Sequence, residues 1–162
     1  MEFLVVDFAS DVEQQSVYTK STQETVTLHV ANQLQLRGLT HDDSVCVVNT
    51  GLHDERLCNG KSDKRCIPEY STNVKKYLNL LYKVCGSIIW ISTTPVQENP
   101  MFPQNNARAV EMNKLVNETM AKHSNGYFVE ISNAASQYNH VDNVHFEPEY
   151  YVGLGQLFSS LM

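Results

Sequence analysis

Val45-Cys46-Val47-Val48-Asn49-Thr50-Gly51-Leu52-His53-Asp54 is a short apolar run that passes directly into a glycine turn carrying polar side chains. A continuous apolar, β-branched run suits a strand covered on both faces. The glycine lets the backbone turn and approach a ligand closely. Taken alone, strand, glycine and polar residues also describe an ordinary βα loop. Working outward, Phe3 to Asp7, Ser87 to Ser92 and Tyr127 to Ile131 are similar runs, so with Val45 to Asn49 four strands are predicted. Helical patterns alternate with them. The first runs from Ser21, in a possible Ser21-x-x-Glu24 capping box, to Gly38, with Val26, Val30 and Leu34 on one face. The second, from about Ser71, turns Val74, Leu78 and Leu81 inward; the third, from about Asn106, uses Ala109, Met112, Val116 and Met120. The last begins at Pro148 and buries Tyr151, Leu154, Phe158 and Leu161. This rhythm predicts an α/β fold, a mostly parallel sheet between helical layers.

At 162 residues, 42% apolar and 19% charged, the chain has the size and composition of one globular domain. The net charge is −6, and the basic cluster Lys61 to Arg65 is interrupted by Ser62 and Asp63, which argues against nucleic acid as a partner. The N-terminal run Met1 to Val6 is too short to span a membrane and carries Glu2 where an export signal wants a base; any such signal is expected upstream. Cys46, Cys58, Cys66 and Cys85 show no Cys-x-x-Cys spacing, so no zinc site and no other metal is expected. Cys58 and Cys66 bracket a polar loop that a disulfide would clip; two free thiols fit the same spacing. With the sequon Asn117-Glu118-Thr119, the cysteines lean toward a secreted or lumenal parent protein.

Open parallel sheets bind ligands at the carboxyl ends of their strands. Two polar groups fall on that edge. One is the Gly51 turn, with Asn49 and Asp54 beside it. The other is Asp142-Asn143-Val144-His145, just ahead of the last helix. In a tight turn a carboxylate three residues before an imidazole orients the ring and leaves Nε2 facing outward as a general base. Either group alone is as well explained by loop structure. The proline-rich piece Pro95 to Pro103 is a stiff βα loop at the same edge, and Asn105, Asn106 and Arg108 are either substrate contacts or helix caps. Trp90 reads as core; His123 and His140 read as surface residues.

Together the two groups point to a family. Gly51-Leu52-His53-Asp54 after a buried strand resembles the third sequence block of the SGNH (GDSL-like) hydrolases, Gly-x-Asn-Asp, and Asp142-x-x-His145 resembles their fifth block, Asp-x-x-His. Val48 to Asp54 with Ile89-Trp90-Ile91-Ser92-Thr93-Thr94 looks like the PC-esterase, NXPE and sialic-acid O-acetyltransferase-like branches. The resemblance spans about Asp42 to Met162. It implies a flavodoxin-like three-layer αβα fold and acyl transfer at an ester without a cofactor: a serine attacks the carbonyl, a histidine takes its proton, and a set of donors holds the oxyanion. His145 would be the base and Asp142 its orienting acid. The Gly51 turn, with Asn49, His53 and Asp54, would line the oxyanion and substrate site. His53 stands at the family's asparagine position, where a neutral imidazole donates one hydrogen bond and an amide two.

The family's first block, Gly-Asp-Ser after the first strand, has no counterpart; glycine occurs only from Gly38 onward. Ser10, after the Phe3 to Asp7 run, is the best substitute nucleophile. Between Ser10 and Gly51 there is room for one helix before the next strand, where the family has a helix, a strand and a second helix. The expectation is a single domain over residues 1–162, truncated at its N-terminus, missing the family's first strand and nucleophile block. Because that strand lies between the second and third, the sheet should show a gap unless its strands pair differently. Three readings follow: an ester hydrolase or O-acyltransferase acting on small-molecule or glycan esters, a catalytically inactive truncated homologue, and an unrelated doubly wound binding domain in which Asp142 and His145 are incidental.

Overall fold

Four parallel strands, β1 (Phe3–Val5), β2 (Val45–Val48), β3 (Ser87–Ile91) and β4 (Gly126–Val129), form one sheet in the order β1-β2-β3-β4. The computed structural model describes residues 3–5, 35, 38, 40–42, 44–52, 54, 63–97 and 105–160. The predicted helix from Ser21 to Gly38, with its capping box, falls almost wholly outside them. Helix α1 (Asp63–Leu81) joins β2 to β3, α2 (Asn106–Met120) joins β3 to β4, and the short α3 (Ser132–Ala135) and the terminal α4 (Pro148–Ser160) follow.

The predicted gap in the sheet is absent. Phe3, Leu4 and Val5 pair in register with Val45, Cys46 and Val47. Direct pairing satisfies backbone donors and acceptors that a missing strand would leave orphaned along β2.

Side chains alternate across the strands as the pleat requires. Cys46, Val48, Ile88 and Trp90 pack with Tyr70, Val74, Tyr77, Leu78 and Leu81 of α1 and Met112, Val116 and Met120 of α2. On the opposite face Val47 and Ile91 meet Ile131, Ala135, Phe146 and Tyr150, with Ile89, Val129 and Leu154 partly buried beside them. The sheet thus lies between two layers, a three-layer α/β fold. Trp90 is fully buried, its ring edge against Tyr77 at 6.2 Å.

Three details depart from the sequence reading. Helix α1 starts at Asp63, well before Ser71, and carries Pro68 inside its first turns. Proline disrupts the helical pattern there because, at the sixth position, it removes the donor that would bond Lys64 O. The inward residue of the Tyr150-Tyr151 pair is Tyr150, edge-on to Tyr138 at 5.5 Å, whereas Tyr151 is 50% exposed. The apolar stripe of α4 therefore starts at Tyr150 and not at Tyr151, and it continues through Leu154 as predicted; the side chains of Phe158 and Leu161 lie outside the described residues. His140 is half-buried, its ring over Phe146 at 4.1 Å, and His123 stacks on Tyr82 at 4.4 Å; neither is a plain surface residue.

Cys46 is disulfide-bonded to Cys85, which bridges β2 to the residues just ahead of β3. Cys66 is disulfide-bonded as well. Cys58 lies outside the described residues. Among the described residues no helix is long and apolar enough to cross a membrane.

Candidate active site

The carboxyl edge of the sheet is organised by backbone held in the grip of side-chain amides. Past the end of the β2–β3 ladder, Asn49 Nδ2 donates to Ile91 O at 2.9 Å and Ser92 O at 3.0 Å. Both amide hydrogens are thereby engaged in bracing β2 to β3 and not directed at a ligand. Thr93, immediately after β3, donates from Oγ1 to Thr50 O at 2.8 Å. Asn113 of α2 grips Thr93 on both sides, accepting from its N–H and donating to its carbonyl, each at 2.8 Å. Asn106, two turns earlier on α2, treats Val96 in the same way, at 2.8 and 3.0 Å. Asn105 caps α2 by accepting from Arg108 N. The asparagines at the helix start thus serve as cap and clamp. Asn113 was not singled out from sequence, although a buried amide within the apolar stripe Ala109, Met112 and Val116 is a signal that it satisfies backbone.

Gly51 is required twice over at the end of β2. Its φ is +147°, and a Cβ built there would overlap Thr93 Oγ1. The Thr50 carbonyl points at Thr93, so the Gly51 N–H of the same trans peptide points the opposite way. Asp54 sits beneath this turn, 1% exposed, accepting from Thr50 Oγ1 at 3.1 Å. Its Oδ1 has no hydrogen-bond partner. Burial pushes the Asp54 carboxyl up to about 7, against the smaller opposing effect of the Thr50 hydroxyl.

The second group is a closed turn. His140 and Phe146 form an antiparallel bridge, and Val141 N donates to His145 O at 2.9 Å. Inside it Asp142 Oδ1 accepts from the N–H groups of Val144 and His145, both at 2.8 Å, and Oδ2 lies 2.6 Å from His145 Nδ1. The backbone N–H of His145, then that of Val144, then the imidazole hold the Asp142 carboxyl well below the usual carboxylate range. An ionised Asp142 takes the proton of Nδ1 as a hydrogen bond and leaves Nε2 of an imidazole that is 65% exposed pointing away.

Both groups attach to the segment that follows β3. Thr93 holds the Gly51 turn; Gln97 N donates to Asn143 O at 2.9 Å, and His140 Nε2 donates to Pro95 O at 3.1 Å. The structure therefore puts Asn49, Gly51, Asp54, Asp142 and His145 on one edge of adjoining strands. Among the described residues no hydrogen bond or ion pair joins the Asp142–His145 pair to the Gly51 turn directly. Ser10 and His53 lie outside the described residues. A shallow groove of about 560 Å³ runs beside the His145 turn, lined by Pro95, Val96, Gln97, Tyr138, Asn139 and His140 among others.

Comparison with solved structures separates fold from sequence. A GDSL-like lipase from Bacteroides thetaiotaomicron superposes with a TM-score of 0.54 at 16% identity, over 91% of this chain and 71% of the lipase. The fold is that of a GDSL-like lipase. An α/β hydrolase from the metagenome of Lake Arreo, Spain, superposes with a TM-score of 0.56 at 15% identity, over 91% of this chain and 67% of that enzyme. A protein from Agrobacterium tumefaciens described as an arylesterase matches at 0.52 and 12%, over 87% of this chain. The chain spans 65% of that protein's length. No family model and no curated protein matches the sequence.

Proposed function

We propose that this chain is an SGNH-type carboxylic-ester hydrolase or O-acyltransferase domain of the PC-esterase and NXPE kind, taking acetylated small molecules or glycans. The observation that carries the reading is the Asp142–His145 pair, 2.6 Å apart, on the carboxyl edge of a sheet with the GDSL-like lipase fold. In this reading His145 Nε2 removes a hydroxyl proton while ionised Asp142 fixes the tautomer and stabilises the imidazolium that forms. The outward Gly51 N–H receives the developing oxyanion, and Asp54, Thr50 and Thr93 keep that peptide in place. Ser10 is the candidate nucleophile. The hydroxyl oxygen bonds to the acyl carbon, the alcohol leaves with a proton from His145, and water or an acceptor alcohol then releases the acyl group.

The test is acetyl-ester hydrolysis by the purified chain beside its Ser10→Ala and His145→Ala variants. Activity lost in both, by about 10²–10⁴-fold, supports the assignment. Activity lost only with His145→Ala removes Ser10 from the mechanism. A well-folded chain without activity favours the inactive homologue instead.

A further inference from the structure

We infer that Asn117 is a site of N-linked glycosylation and that the glycan is attached before α2 has folded. Asn117-Glu118-Thr119 is the one Asn-x-Ser/Thr triplet in the chain, although a triplet of this kind arises readily by chance. Three structural observations give it weight. The first is the compartment: Cys46–Cys85 bridges two core positions, both fully buried, and Cys66 is disulfide-bonded too. Disulfides that are part of a core form and persist on the oxidising secretory route, where glycan transfer also takes place.

The second is placement. Asn117 is exposed in the last turn of α2, and among the described residues no hydrogen bond holds its side chain. Helix α2 starts at Asn106 on the carboxyl edge, so Asn117 lies roughly 16 Å along it toward the opposite edge. A glycan there stands clear of the Gly51 and His145 turns, and the inference is independent of the esterase reading.

The third sets the timing. Thr119 is 6% exposed, and its Oγ1 donates to Leu115 O at 2.8 Å. The hydroxyl belongs to the recognised triplet, yet in the folded helix it is turned into its own backbone. Transfer must therefore precede folding. In that step Asn117 Nδ2 bonds to the anomeric carbon of a lipid-diphosphate-linked oligosaccharide, the carbon–oxygen bond to the diphosphate breaks, and the amide loses a proton.

The chain, carried by a supplied cleavable export signal in cultured mammalian cells, tests the site. Occupancy of the Asn117 peptide is read by mass spectrometry, with the glycosidase-dependent mobility shift, on both secreted and cell-retained protein. A single-glycan shift that Asn117→Gln abolishes is expected; an unmodified Asn117 in both pools overturns the inference. For the timing, disulfide-bonded unglycosylated chain and the same chain reduced and denatured are offered to microsomal transferase with its lipid-linked donor. Transfer to the denatured chain alone is expected, and equal transfer to both overturns glycosylation before folding.

Discussion

Replacing Asp54 by asparagine should stabilise the protein at pH 8 and change it little near pH 4. The native carboxyl is buried under the Gly51 turn with Oδ1 unpartnered, and burial raises its titration from 3.8 to about 7. Between these values the unfolded chain has released the proton while the native chain keeps it, so stability falls as pH rises through that window and levels off above about 7. Below 3.8 both states are protonated and the effect is absent. A shift of about three pH units, at about 1.36 kcal/mol each, sets a ceiling on the order of 4 kcal/mol. Asparagine keeps the shape and an acceptor for Thr50 Oγ1 but cannot ionise. Urea unfolding of both proteins at intervals from pH 4 to 8 provides the difference in stability, in which the other titrating groups cancel. A variant advantage that grows by a few kcal/mol across the window is expected. A difference that stays flat with pH would refute a buried, late-titrating Asp54.

Asp142→Asn should lower ester hydrolysis by roughly 10²-fold or more with the thermal midpoint nearly unchanged, because the turn is exposed and the loss is one of ring orientation; steady-state kinetics beside a melting curve checks both. Gly51→Ala forces a side chain into a positive φ and into Thr93 Oγ1, costing about 1–3 kcal/mol, read from denaturant midpoints. Asn113→Ala strips the N–H and the carbonyl of Thr93 of their partner; a loss of about 1–3 kcal/mol for each buried group left unsatisfied is expected from the same assay, with faster hydrogen exchange at Thr93.

The strands were legible because sheets covered on both faces demand near-continuous apolar runs, and Val45 to Val48 and Ser87 to Ile91 meet that demand. The Gly51 turn and the Asp142-x-x-His145 spacing were legible for a different reason, since both are local and their geometry is fixed within a few residues. What escaped the sequence is what depends on neighbours far along the chain. Cys46 meets Cys85 only because β2 lies beside β3, a fact of topology and not of spacing. Likewise, the strand order at β1 is decided by which backbone edge needs a partner. The first buried residue of α4 was misassigned because Tyr150 and Tyr151 are equally apolar, and Tyr138 and Phe146 select between them. Asn49 seemed available to a ligand until Ile91 and Ser92 claimed its amide.

The clamps of Asn106 and Asn113 read only main-chain atoms of Val96 and Thr93. Nothing in that grip depends on which side chains the intervening residues carry. Residues 94 and 95 can therefore change in identity while the backbone on either side of them, at Thr93 and Val96, stays held by the helix behind it. A protein of this design can alter what its edge presents without rebuilding the sheet, and variants drawn at those two positions, with both asparagines kept, would change that edge alone.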